Sequence, residues 1–202
     1  MTRYVWPEDV FVHKPAFLIT IDTEGDNLWQ KHDSITTENA RYLPRFQQLC
    51  EKYGFKPVWL TNYEMAIDPV YIEFAKDAIA RGTAEIGMHL HAWNSPPTDP
   101  LTDDDWRHKP YLIEYSDAAM RAKVDYMTRL LEETFQTKMV SHRAGRWAFD
   151  ERYARLLMEY GYLVDCSVTP RVNWKTAKGA PQGDGGTYYR HFPQHAYFLD
   201  EN

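Results

Sequence analysis

A chain of 202 residues suits one domain with a sizeable core, and 44% hydrophobic with 26% charged residues is ordinary for a folded globular protein. A net charge of −6 without a Lys/Arg cluster excludes a surface built for a phosphate backbone, so no nucleic-acid partner is expected. No window approaches a membrane span, the first residues carry no apolar core of signal-peptide length, and Cys50 and Cys166 are too few for a disulfide scaffold. Both cysteines are read as buried, reduced thiols, in a protein expected in the cytoplasm.

In chain order, Ala16 to Ile21 reads as an apolar strand. Thr36 or Thr37 caps a helix whose Leu43, Phe46, Leu49 and Cys50 keep helical spacing up to a stop at Gly54. Pro57–Asn62 is a second strand. Asp68-Pro69 opens a helix with Pro at its first position; Tyr71, Ile72, Ala75, Ala78 and Ile79 form its buried stripe, and Gly82 ends it. Ala84–His89 is a third strand. A long loop from Ala92 to Tyr115 follows, and loops of that length inside a domain are often functional. Ser116 caps a helix carrying Met120, Val124, Met127, Leu130, Leu131 and Phe135 on one side. Lys138–His142 is a fourth strand, Phe149–Tyr160 a helix, and Leu163–Ser167 a fifth strand. Tyr188–Phe192 and His195–Leu199 are further short strands. The alternation of strand and helix implies a parallel sheet with helices packed outside.

The reactive side chains collect where strands end. The first strand ends on Asp22 and Glu24, the third on His89 and His91, the fourth on His142 and Arg143, the fifth on Asp165. In a β/α barrel, and in an open parallel sheet, that edge is where sites are built. Residues two apart on a strand point to one face, so Asp22 and Glu24 project together. Two like charges side by side imply a metal, an arginine or a shared proton, or else a solvated turn. His89 and His91 aim two imidazoles at one point, and a carboxylate completes a three-ligand set for zinc with a position left open. Arg143 could orient a carboxylate through paired hydrogen bonds or form a surface ion pair. Asp165, ending a buried strand, needs a partner. Trp93, Trp147 and Trp174 could stack on a sugar ring, or pack the core.

With these residues the chain resembles the polysaccharide deacetylases, the NodB-homology or carbohydrate esterase family 4. Thr20-Ile21-Asp22-Thr23-Glu24 is similar to the family's first motif in the form with one residue between the two acids; Glu85-Ile86-Gly87-Met88-His89 to the second; Arg143-Ala144-Gly145 to the third; and Asp165-Cys166-Ser167 to the fourth. The resemblance implies a distorted α/β (β/α) barrel, a divalent metal and removal of an acetyl group from a sugar. It implies Asp22 as catalytic base, Arg143 as the residue that holds the base, Asp165 as a catalytic-site carboxylate, and Glu24 with His89 as metal ligands. The second motif departs from the family spacing, because Trp93 stands where the second histidine belongs, and His91 takes that role. The fifth motif, Leu-x-His, which supplies the general acid, has no counterpart, and the barrel is expected to be about two strand–helix units short. The expected function is metal-dependent deacetylation of an N-acetylated sugar, with zinc, in surface-polysaccharide (O-antigen) assembly. The alternatives are another metal-barrel amidohydrolase or phosphoesterase, whose His-x-His pair typically lies on the first strand, and a degenerate deacetylase fold that binds glycan without turnover.

Overall fold

The computed structural model describes residues 4–5, 17–30 and 34–199. Its strands are β1 (Tyr4–Val5), β2 (Thr20–Thr23), β3 (Val58–Thr61), β4 (Glu85–Leu90), β5 (Ser141–Ala144), β6 (Val164–Asp165) and β7 (Phe198–Leu199). Its α-helices are α1 (Leu43–Lys52), α2 (Tyr63–Ala66), α3 (Pro69–Ala80), α4 (Asp105–His108), α5 (Asp117–Phe135) and α6 (Glu151–Glu159). Strands β2 to β6 form one parallel sheet in sequence order, and β1 pairs antiparallel with β7 in a separate ribbon.

The parallel sheet follows from the helical crossovers, which return the chain to the same end of the sheet each time. Each crossover is bounded by the residues its ends require. Asp68 and Ser116 accept hydrogen bonds from the backbone N–H groups of Tyr71 and Ala119, opening α3 and α5. Gly161 ends α6 in the left-handed conformation, with φ +86°. The apolar stripes of these helices and the strands meet in one core that includes Trp59, Tyr71, Met88, Met127, Leu131 and Tyr153.

Several expectations need correction. Strand β2 begins at Thr20, so Phe17 and Leu18 of the expected strand lie before it and are exposed, while Ala16 lies outside the described residues. The fourth strand is displaced towards its C-terminus, to Ser141–Ala144. Helix α1 is preceded by a 3-10 turn, Glu38–Tyr42, and Thr37 makes no side-chain cap; its hydroxyl meets Asp68 instead, at 2.7 Å. Phe46 and Leu49 are exposed, while Gln47 is buried beneath them because its amide serves Thr83 and the Trp59 indole. The long loop contains α4 and a 3-10 turn, Leu112–Glu114. In the tail, the predicted strand over 188–192 reduces to a single bridge between Tyr188 and Asn173. Cys50 and Cys166 are both free, Cys50 buried and Cys166 only half-buried.

The sheet is strongly curled. Between β2 and β5 lie three inter-strand gaps, about 14 Å in a flat sheet. That is more than an arginine and an aspartate can span together. Yet Arg143 on β5 sets Nη1 2.6 Å from Asp22 Oδ1 on β2, while its Nε donates to the Cys166 carbonyl beyond β6 at 3.0 Å. This curl makes the α/β sheet part of a barrel, with β2 and β6 as its edge strands.

Candidate metal centre

The register of the sheet places the reactive side chains. His89 on β4 lies opposite Arg143 on β5, and Asp22 on β2 opposite Leu60 on β3. Parallel neighbours share a face, so this row points into the concave side.

Glu24, His89 and His91 converge there. One candidate ligand atom from each lies within 4.8 Å of the others. His89 Nε2 is 3.9 Å and His91 Nε2 3.2 Å from the Glu24 carboxylate. These spacings bracket the about 3.4 Å edge between ligands of a tetrahedral ion with bonds near 2.0–2.1 Å. Both imidazoles are buried. His89 Nδ1 sits 2.9 Å from the Arg143 carbonyl, which can only accept, so Nδ1 carries the proton and Nε2 presents its lone pair to the centre. Neither ring nitrogen of His91 has a hydrogen-bond partner among the described residues. Buried polar atoms are rarely left so, and a metal ion would satisfy one of them.

The electrostatics agree with ligation. Burial, with His91 close by, holds the His89 pKa down at about 4. Burial holds that of His91 at about 3. Both rings are therefore neutral at pH 7, the form that binds a metal. Burial raises the pKa of Glu24, and the Asp22 charge adds to it against the opposing influence of His89. A divalent cation would relieve this cost.

Asp22 stands beside the trio as half of an ion pair. Arg143 Nη1 donates to Asp22 Oδ1, and Nη2 to the Thr20 hydroxyl at 2.5 Å. The guanidinium lies over the Trp147 ring, 4.9 Å from its centroid. Gly145 has a steric role: a Cβ there would sit 2.4 Å from the Leu90 carbonyl oxygen and 2.5 Å from His91 Nδ1. Only glycine lets the chain after β5 pass this close to the ligand.

The structure does not bring Asp165 into this cluster. In the register of β5 and β6, Asp165 lies opposite His142, on the face covered by α6. Its Oδ2 is 2.7 Å from His142 Nδ1, whose Nε2 meets the Tyr153 hydroxyl at 2.7 Å. Asp165 also accepts from the Ser167 N–H and hydroxyl. The physical reason is alternation: residue 142 faces the helices because residue 143 faces the concave side.

The tryptophans also divide. Trp93 is buried with its ring 4.3 Å from His91, so it backs the ligand and offers no open face. Trp147 stays near the site over Arg143. Trp174 is half-buried and donates to Thr169 at 2.8 Å, packed against Gly186 in the tail.

Two residues at the site escaped the sequence reading. Trp29 is 50% exposed, donates from Nε1 to Glu24 Oε2 at 3.0 Å, and meets His91 and Trp93 edge-on. It stands in an irregular turn where periodicity gives no signal. Glu64 is buried and accepts from the Gly25 backbone N–H at 2.6 Å. It follows β3 directly, so the strand-end rule applied to Leu60-Thr61-Asn62 would have found it.

No family model matches the sequence, and no curated protein does. Solved structures share the fold. A mutant of a CE4 family pseudoenzyme with restored enzymatic activity gives a TM-score of 0.51 at 16% identity, over 79% of this chain and 47% of that one. The wild-type CE4 family pseudoenzyme from Bacillus anthracis gives 0.51 at 14%, over 79% and 45%. A candidate polysaccharide deacetylase from Mycobacterium smegmatis gives 0.55 at 18%, over 75% and 50%. The chain thus has the fold of these CE4-type proteins and spans about half of their length.

Proposed function

We propose that this chain is a metal-dependent deacetylase of N-acetylated sugars, with Glu24, His89 and His91 as ligands of a divalent ion and Asp22 as the base. The donor set of two neutral imidazoles and one carboxylate suits zinc. One observation carries the reading. An aspartate held by an arginine lies beside a convergent His–His–Glu trio on the rim where strands end. The Glu24 carboxylate, half-buried beside that of Asp22, would otherwise be a cost with little compensation.

A bound ion would supply Lewis acidity, polarising the acetyl carbonyl and making water easier to deprotonate. The rest falls to the chain. Arg143 engages Asp22 Oδ1 and fixes the carboxylate plane, so the second oxygen is presented to take the proton of the attacking water. Thr20 and the Cys166 carbonyl hold the guanidinium in turn. The Nδ1–H of His89 is held by the Arg143 carbonyl, which links the ligand to the residue that orients the base. Trp29 is the exposed aromatic ring at the mouth, of the kind that packs on a sugar.

The sequence has no Leu-x-His segment, the family's source of the acid that protonates the departing amine. A pseudoenzyme among the proteins that share this fold favours a second reading, in which the centre holds metal and an acetamido sugar with little turnover. One experiment separates the two. Zinc-loaded protein is incubated with N-acetylated chitooligosaccharides while acetate release and sugar binding are followed. Release that stops in Asp22→Asn with metal retained supports the deacetylase. Sugar binding without release selects the second reading. Protein that binds neither metal nor sugar sinks both.

A further inference from the structure

The residues that hold Glu24 and His91 in place are not part of any motif that drew attention to the centre. Glu64, in the first turn of α2, is 6% exposed. Its Oε1 accepts from the Gly25 backbone N–H at 2.6 Å and from Asn62 Nδ2 at 3.2 Å, and its Oε2 from Asn94 Nδ2 at 2.7 Å. These donors come from three separate strand-end segments, after β2, β3 and β4. Gly25 is the residue next to Glu24, and Asn94 lies three beyond His91. Among the described residues no cation lies within ion-pair distance of Glu64, so amide donors alone satisfy it.

Such an arrangement is costly unless it is needed. Burying a carboxylate near a second one is unfavourable, and a Gln would make similar packing contacts without the charge. Gly25 is shaped to receive it: a Cβ at residue 25 would lie 3.2 Å from Glu64 Cγ, 2.7 Å from the Thr36 carbonyl oxygen and 2.5 Å from an Ile35 methyl. The backbone beside Glu24 is therefore pinned from above by Ile35 and Thr36 and from below by Glu64. Charged acceptors make shorter, stronger hydrogen bonds to N–H donors than neutral ones.

We infer that Glu64 is a positioning residue for the metal centre, fixing the chain at Gly25 and at Asn94 so that Glu24 and His91 are held at ligating separation before the ion arrives. The inference rests on the metal reading above. It assigns Glu64 no contact with metal or substrate. It sets the affinity of the site by removing the cost of assembling two ligands from different loops.

The test is cobalt binding, read both as a dissociation constant and as the visible absorption of the bound ion, on wild type, Glu64→Ala, Glu64→Gln and Asn94→Ala. Urea unfolding of each metal-free protein runs alongside, with Val124→Ala in α5 as a destabilised core control. Glu64→Ala is expected to bind cobalt about 10–100-fold more weakly, with an altered spectrum. Glu64→Gln, which keeps one oxygen for Gly25 but sets an amide against Asn94, should fall between, and Val124→Ala should match wild type. A folded Glu64→Ala protein with wild-type affinity and spectrum overturns the inference while leaving the metal reading intact. If Glu64→Ala does not fold, Glu64→Gln and Asn94→Ala decide on the same criterion. A wild type that takes up no cobalt overturns the metal reading and this inference with it.

Discussion

Arg143 and Asp22 meet at 2.6 Å across the two strands that separate β5 from β2, and this contact is what the curl of the sheet makes possible. The pair is mostly shielded from water, with side-chain exposures of 10% and 23%. Breaking it leaves one charge without its partner, the costly way to disrupt a shielded pair.

Arg143→Met should therefore do two things. It should lower acetate release by about 10²–10⁴-fold, the range for losing a well-placed general base, because Asp22 is no longer held. It should also destabilise the fold by about 3–5 kcal/mol. Arg143→Lys restores charge but not the three-way fork to Asp22, Thr20 and Cys166, so activity should recover only in part. Steady-state acetate assays with urea unfolding check both. Arg143→Lys with full wild-type rate would show that charge alone suffices.

The pair was legible in the sequence for a simple reason. Asp22, His89 and Arg143 sit where an apolar run stops, and a parallel sheet sends every such stop to one rim. What strand ends do not reveal is which face a residue takes. Asp165 ends a strand like the others, but a register that sets it opposite His142 turns it towards α6. Trp29 was illegible for another reason: its contact with Glu24 depends on a loop path that has no period, whereas Glu64 stands just past β3, at a strand end of the same kind as the others. Trp93 follows the same logic in reverse. Its spacing from His89 drew attention, and packing against His91 explains it.

Asp165→Asn tests the outward placement. Its carboxylate accepts from Ser167 twice and pairs with the buried His142. The substitution should cost about 1–3 kcal/mol by leaving a buried polar group poorly satisfied. Cobalt affinity should stay within about twofold of wild type, since no contact joins Asp165 to the trio. The measurements are a urea midpoint and a metal titration. A stable variant with lost metal would return Asp165 to the site.

Gly145→Ala separates packing from ligation in the other direction. The added methyl would press on the Leu90 carbonyl and on His91 Nδ1. Those atoms are backbone and a buried ring, which cannot yield without moving the ligand. The expected result is a cost of about 1–3 kcal/mol with a metal affinity that falls further than stability alone explains. Equal affinity in a folded Gly145→Ala protein would mean that His91 is not a ligand in this position.

Lys123 gives the pH-dependent prediction. This lysine on α5 is 1% exposed, and its ammonium donates to the carbonyls of Ser95 and Pro97 at 2.8 and 2.7 Å, over the Tyr115 ring. It tethers the loop that leaves His91 towards the rim. Burial pushes its pKa down to about 8 from 10.5, against the opposing charges of Asp105 and Asp99. Below about pH 8 the amine is charged in both folded and unfolded chains, and the whole burial penalty is present. Between pH 8 and 10.5 the unfolded chain binds the proton more tightly, so stability rises with pH across that window. From pH 7.5 to 9.5 the gain attributable to Lys123 should reach up to about 2 kcal/mol. Lys123→Met removes the titration and, with it, the two bonds to the loop. Urea unfolding of both proteins at the two pH values should show wild type gaining on Lys123→Met as pH rises. Parallel changes in the two proteins would place the lysine's proton affinity at its ordinary value and leave the tether as a neutral packing contact.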